Sequence, residues 1–331
     1  MILVTGGTGM IGAHILLALA KEKDKIRAIY RRTESLNYIK YLFQKLLPEN
    51  PDFFNRIEWV KTDLSDLGGL DVAFKGVKFV YHCAAKVSFA EFNEQKLMKT
   101  NVEGTTNIVN LCIKHRINKI GYVSSIASIG ADKNVELVTE NHTWSIGQKH
   151  TPYAYSKYGA ELEVWRAAQE GIDVIIVNPG VILGAHFWHR SSGTIFKFIY
   201  KGLKYYTLGN ISIVGLDDVV KSLILLMNSP LKNERFILVA KNLKQKKILD
   251  KIAIKLNKKK PYLPITKRIL YIFFILDKFF SSLGLKKKIL SPALIEELCN
   301  NKKYDGSKIL RKINFTYTKI DDVINQIVKI N

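Results

Sequence analysis

Along the first half of the chain, short apolar runs alternate with longer stretches whose apolar positions recur three and four residues apart. The runs predict strands and the stretches predict amphipathic helices. A strand over 2–4 is followed by a helix over 11–21, and a strand over 26–30 by a helix over 36–47. The alternation continues with strands at 57–61, 79–83, 120–124 and 174–177, and with helices around 95–115 and after Pro152. Strands separated by helices in this way form βαβ units, so this half reads as a six-strand, doubly wound parallel sheet.

Beyond Asn178-Pro179-Gly180 the rhythm becomes irregular. Helices are expected over 217–227, 244–255 and 320–329, with one further strand at 236–239. The chain is therefore expected to be α/β. A Rossmann-fold nucleotide-binding core spans 1–178, with segments near 210–240 returning to it; 179–209 and 241–331 form a smaller, mainly helical C-terminal substrate lobe. No internal repeat is visible.

Composition narrows the picture. The 331 residues are 47% hydrophobic, which excludes a disordered or fibrous chain. The net charge is +22, and the stretch 241–268 sets eleven Lys or Arg against one acid, Asp250. Such a stretch could attract nucleic acid or an anionic membrane. Only Tyr262 offers it a stacking ring, so a solvated lysine-rich helix face is the reading adopted, and no nucleic-acid partner is expected. Cys83, Cys112 and Cys299 lack paired spacing, so neither a disulfide framework nor a metal site is expected, and a reducing compartment fits. Met1 leads straight into Ile2-Leu3-Val4 and then glycines, without the features of an export signal, so a cytoplasmic location is expected.

The longest apolar run, 269–276, has eight residues, whereas a membrane-spanning helix needs ~20. Flanked by Lys267, Arg268 and the lysines at 286–288, it could lie in a membrane interface. A helix buried in the lobe is the expectation adopted, with peripheral membrane contact the less favoured reading.

The first chemical signal is Thr5-Gly6-Gly7-Thr8-Gly9-Met10-Ile11-Gly12, placed between the first strand and the first helix. Glycines there permit a tight turn, close approach of the backbone to a pyrophosphate and close helix packing, while the helix N-terminus presents free N–H groups. The second strand ends Ile29-Tyr30-Arg31-Arg32, where an NAD site would carry Asp or Glu for the ribose 2′-hydroxyl. A guanidinium clamps a 2′-phosphate, so NADP (NADPH) is expected rather than NAD; Arg31 lies nearer the strand end than Arg32.

The second signal is Tyr153-Ala154-Tyr155-Ser156-Lys157, whose four-residue separation puts Tyr153 and Lys157 on one helix face. A neighbouring ammonium stabilises a phenolate and makes the phenol usable in proton transfer near neutral pH. Val123-Ser124-Ser125 closes the preceding strand, at the sheet edge where doubly wound folds bind ligands.

These motifs, in order with Asp63-Leu64, His82-Cys83-Ala84-Ala85, the NVEGT of 101–105 and Asn178-Pro179-Gly180, resemble the short-chain dehydrogenase/reductase family. The similarity is to its extended, epimerase/dehydratase-like branch, over roughly residues 1 to 240. The resemblance implies that Ser125, with Gly130 following at the family's spacing, polarises a substrate carbonyl. It implies that Tyr153 transfers the proton, and that Lys157 lowers the phenol pKa and binds the nicotinamide ribose. Asp63 and Leu64 would lie against adenine; Ala84, Ala85 and Lys86 would line the cofactor, bordered by Asn178, Pro179, Gly180 and Val181. Asn101 would support the active-site helix or its proton relay. The segment 26–31 and the tail Tyr304-Asp305-Gly306-Ser307-Lys308 are similar to the dihydroflavonol reductase and 3β-hydroxysteroid dehydrogenase-like group. Homodimers are common in the family.

The implied reaction is reduction of a small carbonyl substrate to an alcohol. Phe89, Phe187, Trp188 and Phe198 would suit an apolar or aromatic substrate if they border the cleft, while core packing explains them equally. Two alternatives remain: a nucleotide-sugar epimerase or dehydratase holding NAD(P) tightly, and a non-catalytic NADP-sensing protein. The first is weakened because Val177, not Arg, precedes Asn178-Pro179-Gly180; a sensor has no need of Ser125, Tyr153 and Lys157 together.

Overall fold

The protein's structure, a computed structural model, describes residues 1–22, 25–88, 94–132, 134–144, 150–187, 193–282 and 290–330. Its first half alternates as expected: β1 (Ile2–Thr5), α1 (Met10–Leu19), β2 (Ile26–Tyr30), α2 (Thr33–Leu46), β3 (Glu58–Lys61), α3 (Leu67–Phe74) and β4 (Phe79–His82). The next helix is continuous but uneven, with α4 (Glu94–Leu97) passing through a π-helical turn, Met98–Glu103, into α5 (Gly104–Lys114). β5 (Lys119–Val123), β6 (Leu137–Val138), α6 (Pro152–Gln169) and β7 (Asp173–Pro179) follow. The remainder is β8 (Val181–Leu183), α7 (Thr194–Tyr200), β9 (Tyr205–Thr207), β10 (Asn210–Gly215), α8 (Leu216–Asn228), β11 (Glu234–Leu238), β12 (Lys241–Lys244) and α9 (Gln245–Lys255). β13 (Leu263–Ile265), α10 (Lys267–Ser282), α11 (Pro292–Cys299), β14 (Lys303–Tyr304), α12 (Lys308–Lys312) and α13 (Ile320–Ile330) complete it.

Seven strands, one more than the six of the first-half pattern, form a parallel sheet in the order β3-β2-β1-β4-β5-β7-β11. The added strand is β11, expected near 236–239, which pairs Phe236 with Val177 of β7. β5 is buried along its whole length, as a strand covered on both faces must be. Leu16 of α1, Phe43 of α2 and Leu223 of α8 pack in the core cluster on one face; Phe74 of α3, Ile108 of α5 and Val164 of α6 pack in the cluster on the other. Each such side chain stabilises the fold by ~1.5–3 kcal/mol. Because β1 lies between β2 and β4, the winding reverses there, and the crevice at the C-terminal ends of these strands is the natural ligand site.

The lobe combines its helices with small sheets, β12-β10-β8 and β13-β9 among them. Phe196, Ile252 and Ile324 join α7, α9 and α13 in its own core. One expectation fails here. The 269–276 run was to be a buried helix, yet Ile269, Ile272, Phe273, Ile275 and Leu276 of α10 are exposed, because the helix turns Leu270 and Asp277 inward instead.

Candidate active site

The β1–α1 turn is closed by Gly9 N donating to Gly6 O at 2.9 Å. Gly6 holds φ at +68°, and a Cβ there would lie 2.7 Å from Ala84 N; one on Gly12 would lie 2.2 Å from Gly6 O. The protein's own packing requires both glycines. Gly9 differs, since a Cβ there would meet only Gly6 O, at 3.2 Å, and otherwise open space. No side chain caps α1 at Gly9, and its first turn carries no acid. Open space beside uncapped N–H groups fits a phosphate group. Thr5, Gly7 and Gly12 are buried below this cradle, whereas Gly6, Thr8, Gly9, Met10 and Ile11 stay partly accessible.

A buried polar column runs under the strand ends. Thr5 Oγ1 lies 2.6 Å from His82 Nδ1, and His82 Nε2 lies 2.9 Å from Thr105 Oγ1. Burial, reinforced by the charge of Lys157, pushes the His82 imidazole down to about 3, so the ring is neutral. His82 stacks on Tyr122 with centroids 5.3 Å apart. The Tyr122 hydroxyl accepts from Lys157 Nζ at 2.7 Å, and Val123 O accepts from the same ammonium at 2.8 Å.

α6 begins at Thr151, whose side chain accepts from Ala154 N and so caps the helix. Tyr153 follows in its first turn, and its phenol shares a hydrogen bond with Ser125. Ser125 is partly accessible beyond the end of β5; Ser124 is buried and donates to Glu161 Oε2 at 2.6 Å. Thus, of the two adjacent serines, Ser125 stands beside the phenol. Lys157, expected to act on Tyr153, donates to Tyr122 and Val123. Burial pushes Tyr153 up to about 12; the Ser125 hydrogen bond opposes the rise and the charge of Glu297 adds to it. Burial pushes Lys157 down to about 7, against the charges of Glu161 and Cys83.

Asn101 sits in the π-helical turn, a distortion frequent at functional sites. Its Oδ1 accepts from Lys86 N at 2.7 Å, and its Nδ2 donates to Lys86 O and Ser156 Oγ, each at 2.9 Å. It thereby ties the Ala84-Ala85-Lys86 loop to α6.

Glu161 was not expected from the sequence. It lies one helical turn after Lys157, and its Oε2 accepts from Ser124, Ser128 and Asn178 at 2.6, 2.7 and 2.8 Å. Its Oε1 pairs with Arg235 at 3.1 Å. Asn178, expected beside the cofactor, turns its side chain into this buried network. Pro179 is buried, Gly180 N donates to Leu238 O at 3.0 Å, and Val181 opens β8. The signal for Glu161 was present: residues 153, 157 and 161 share one helix face.

Arg31 follows β2 and its Nη1 reaches Asp63 Oδ2 at 3.3 Å, both side chains being well exposed. Partial burial raises the Asp63 carboxyl, but hydrogen bonds from Ser65 and the charge of Arg31 outweigh it and hold the group low. Arg32 stands exposed at the N-cap position of α2 without a capping side-chain bond, and Leu64 is buried with its carbonyl accepting from Asn107 Nδ2 at 2.8 Å.

The lobe adds a residue the sequence did not flag. Glu297 of α11 is hydrogen-bonded by Thr151, and desolvation pushes its carboxyl up to about 7 although water reaches the side chain. Of the four aromatic residues expected at the cleft, Phe187 packs as core, 5.8 Å from the Tyr38 ring. Phe198 is exposed on α7, and Phe89 and Trp188 lie outside the described residues.

The sheet order, glycine turn and uncapped helix end are those of a dinucleotide-binding enzyme. Residues 2–235 match the model of the NAD dependent epimerase/dehydratase family, and the chain belongs to that family, as an NAD(P)-dependent oxidoreductase of the extended short-chain type. It is 27% identical to sterol demethylase protein B of Methylococcus capsulatus, over 81% of this chain and 78% of that one. It is 26% identical to anthocyanidin reductase of Arabidopsis thaliana, over 75% and 78%, and 26% identical to dihydroflavonol 4-reductase of Dianthus caryophyllus, over 71% and 67%. The fold is shared with gox2253 (TM-score 0.82, 23% identity, covering 99% and 97% of the two chains). It is shared also with a UDP-glucose 4-epimerase of Thermus thermophilus solved with NAD (TM-score 0.73, 17% identity, covering 99% and 97%).

Proposed function

We propose that the protein reduces a ketone or aldehyde on an apolar, ring-bearing substrate, using NADPH. The observation that carries this reading is the hydrogen bond between Ser125 and a protonated Tyr153 at the ligand-binding edge of the sheet, above buried Lys157. The glycine turn before α1 would hold a dinucleotide whose nicotinamide, when bound, would supply the hydride for the carbonyl carbon. Ser125 holds the carbonyl oxygen, and Tyr153, kept neutral by burial, gives that oxygen its proton. Lys157, fixed on Tyr122 and Val123, holds Tyr122 and the end of β5 beneath the site, and Asn101 keeps the loop and helix in register. Reductases of flavonoid-type compounds among the relatives support a bulky ring system as substrate.

The preference for NADPH rests on Arg31 and Arg32 at the end of β2. The Arg31–Asp63 pair is exposed and worth little in water, so a 2′-phosphate can displace it. Titration by nicotinamide fluorescence tests this. Arg31→Ala should weaken NADPH binding by roughly 10- to 100-fold, the loss of one charge-assisted contact of ~1.5–3 kcal/mol, and leave NADH binding unchanged. Protein that retains NAD through purification and consumes no NADPH with ketones or aldehydes would overturn the reading in favour of an epimerase.

A further inference from the structure

α10 is inverted relative to an ordinary surface helix, which turns its apolar stripe inward and its polar face to water. Its inward residues include Leu270 and the carboxylate of Asp277, 6% and 4% exposed. Its outward residues Ile269, Ile272, Phe273, Ile275 and Leu276 are 38, 58, 48, 64 and 46% exposed. At ~100° per residue these five cover roughly 160° of the helix, one face with Arg268 at its start. The orientation is fixed by bonds at both ends: Lys267 pairs with Glu296 of α11 at 2.6 Å, and Asp277 Oδ2 accepts from Leu290 N at 2.9 Å. Just before the helix, Tyr262 and Leu263 are exposed as well, with Tyr205 opposite Leu263 in the β13–β9 pair. Exposed apolar side chains of this number and size mark an interaction surface.

The charge of the flanking sequence selects the occupant. Lys255, Lys258, Lys259, Lys260, Arg268 and Lys278 are exposed; the one acid between 255 and 278 is the inward Asp277, and Glu296 of the neighbouring α11 is neutralised by Lys267. A second copy of the chain would bring the same cations against themselves. An anionic bilayer offers hydrocarbon to the apolar face and negative headgroups to the cations. We propose that α10 docks the protein peripherally on an anionic membrane, lying in the interface; no helix among the described residues is long and apolar enough to cross one. α11, on which α10 packs, carries Glu297 beside Thr151 and Tyr153, so docking places the substrate cleft next to the bilayer.

The test is flotation of the full chain with phosphatidylcholine vesicles and with vesicles of equal parts phosphatidylcholine and phosphatidylglycerol, at low ionic strength. Wild type should float with the anionic vesicles and stay behind with the neutral ones. The doubly exposed variant Phe273→Asp/Ile275→Asp should lose at least tenfold of that partition while keeping its melting temperature and NADPH titration, which separates docking from folding and from the catalytic reading. Failure of wild type to float, or flotation unchanged in the variant, overturns the proposal. So does a dimer in sedimentation analysis that the variant converts to monomer, since the face would then be a subunit interface.

Discussion

Gly9 and Gly12 stand three residues apart in the same turn, yet a methyl group added at each meets different surroundings. At Gly12 it would press on the carbonyl of Gly6 at 2.2 Å; at Gly9 its one neighbour is the same oxygen, at 3.2 Å. Gly12→Ala should therefore destabilise the fold by ~1–3 kcal/mol, as overpacking does. Gly9→Ala should melt close to wild type and lose NADPH affinity by about tenfold, or ~1.4 kcal/mol. Thermal melts alongside fluorescence titrations separate the two, and equal loss of melting temperature in both variants would remove the argument for a phosphate cradle. The glycine pattern was legible in the sequence; the division of labour within it was not, since it depends on where Gly6 O and Ala84 fall after folding. For the serine pair, adjacency alone names Ser124 and Ser125 together; the family resemblance singles out Ser125 by the spacing to Gly130, and the buried carboxylate of Glu161 gives the physical reason, since it occupies the Ser124 hydroxyl.

Glu161 is the clasp between elements: through Ser124, Ser128, Asn178 and Arg235 it joins the ends of β5 and β7 to α6 and β11. Arg235 in turn donates from Nε to Glu140 O at 2.9 Å and from Nη2 to His142 O at 2.7 Å, fastening the loop before α6. Removing one partner strands the other's charge inside the protein. Glu161→Ala should cost ~3–5 kcal/mol, and Glu161→Leu/Arg235→Met together less than the sum of the two single changes. Chemical denaturation of the four proteins gives the coupling; additive losses would mean that the pair does not act as a unit. Strands β1, β2, β4, β5 and β7 were legible because covered strands are apolar runs; β3, half-buried at the sheet edge, was legible from its place in the strand–helix alternation. The short strands β8, β9, β12, β13 and β14 were not, because two to four residues carry no readable period and their partners are distant in sequence. The run 269–276 gave no hint of its exposure either, since an apolar stretch reads alike whether it meets a core or open water.

Over the whole molecule, buried groups that hold few protons combine with a net charge of +22. Folding pushes His82 from an ordinary 6.5 to about 3, so the unfolded chain binds more protons across that interval. The corresponding stability is present above pH 6.5 and is lost as pH falls toward 3. Glu297 runs the other way, its carboxyl rising from 4.5 to about 7, so its contribution declines as pH rises through that window, though water at the side chain limits the effect. Between pH 7 and 9 the dominant group is Lys157, pushed from 10.5 to about 7: the unfolded chain binds more protons there and stability grows with pH, while the Cys83 and Cys112 thiols, raised by burial from an ordinary 9, begin to oppose it only near pH 9. Self-repulsion among the exposed lysines eases in the same direction but is screened by salt, whereas a buried ammonium is screened far less. The ligand-free protein should therefore melt at a higher temperature at pH 9 than at pH 7, by roughly a few degrees, given ~2–4 °C per kcal/mol for chains approaching this size. In high salt the rise should persist in wild type and flatten in Lys157→Met, which keeps the aliphatic stem and removes the titrating group. Calorimetric melts of both proteins at the two pH values check this. Parallel slopes would mean that Lys157 retains its charge in the folded site, and that the rise belongs to the surface.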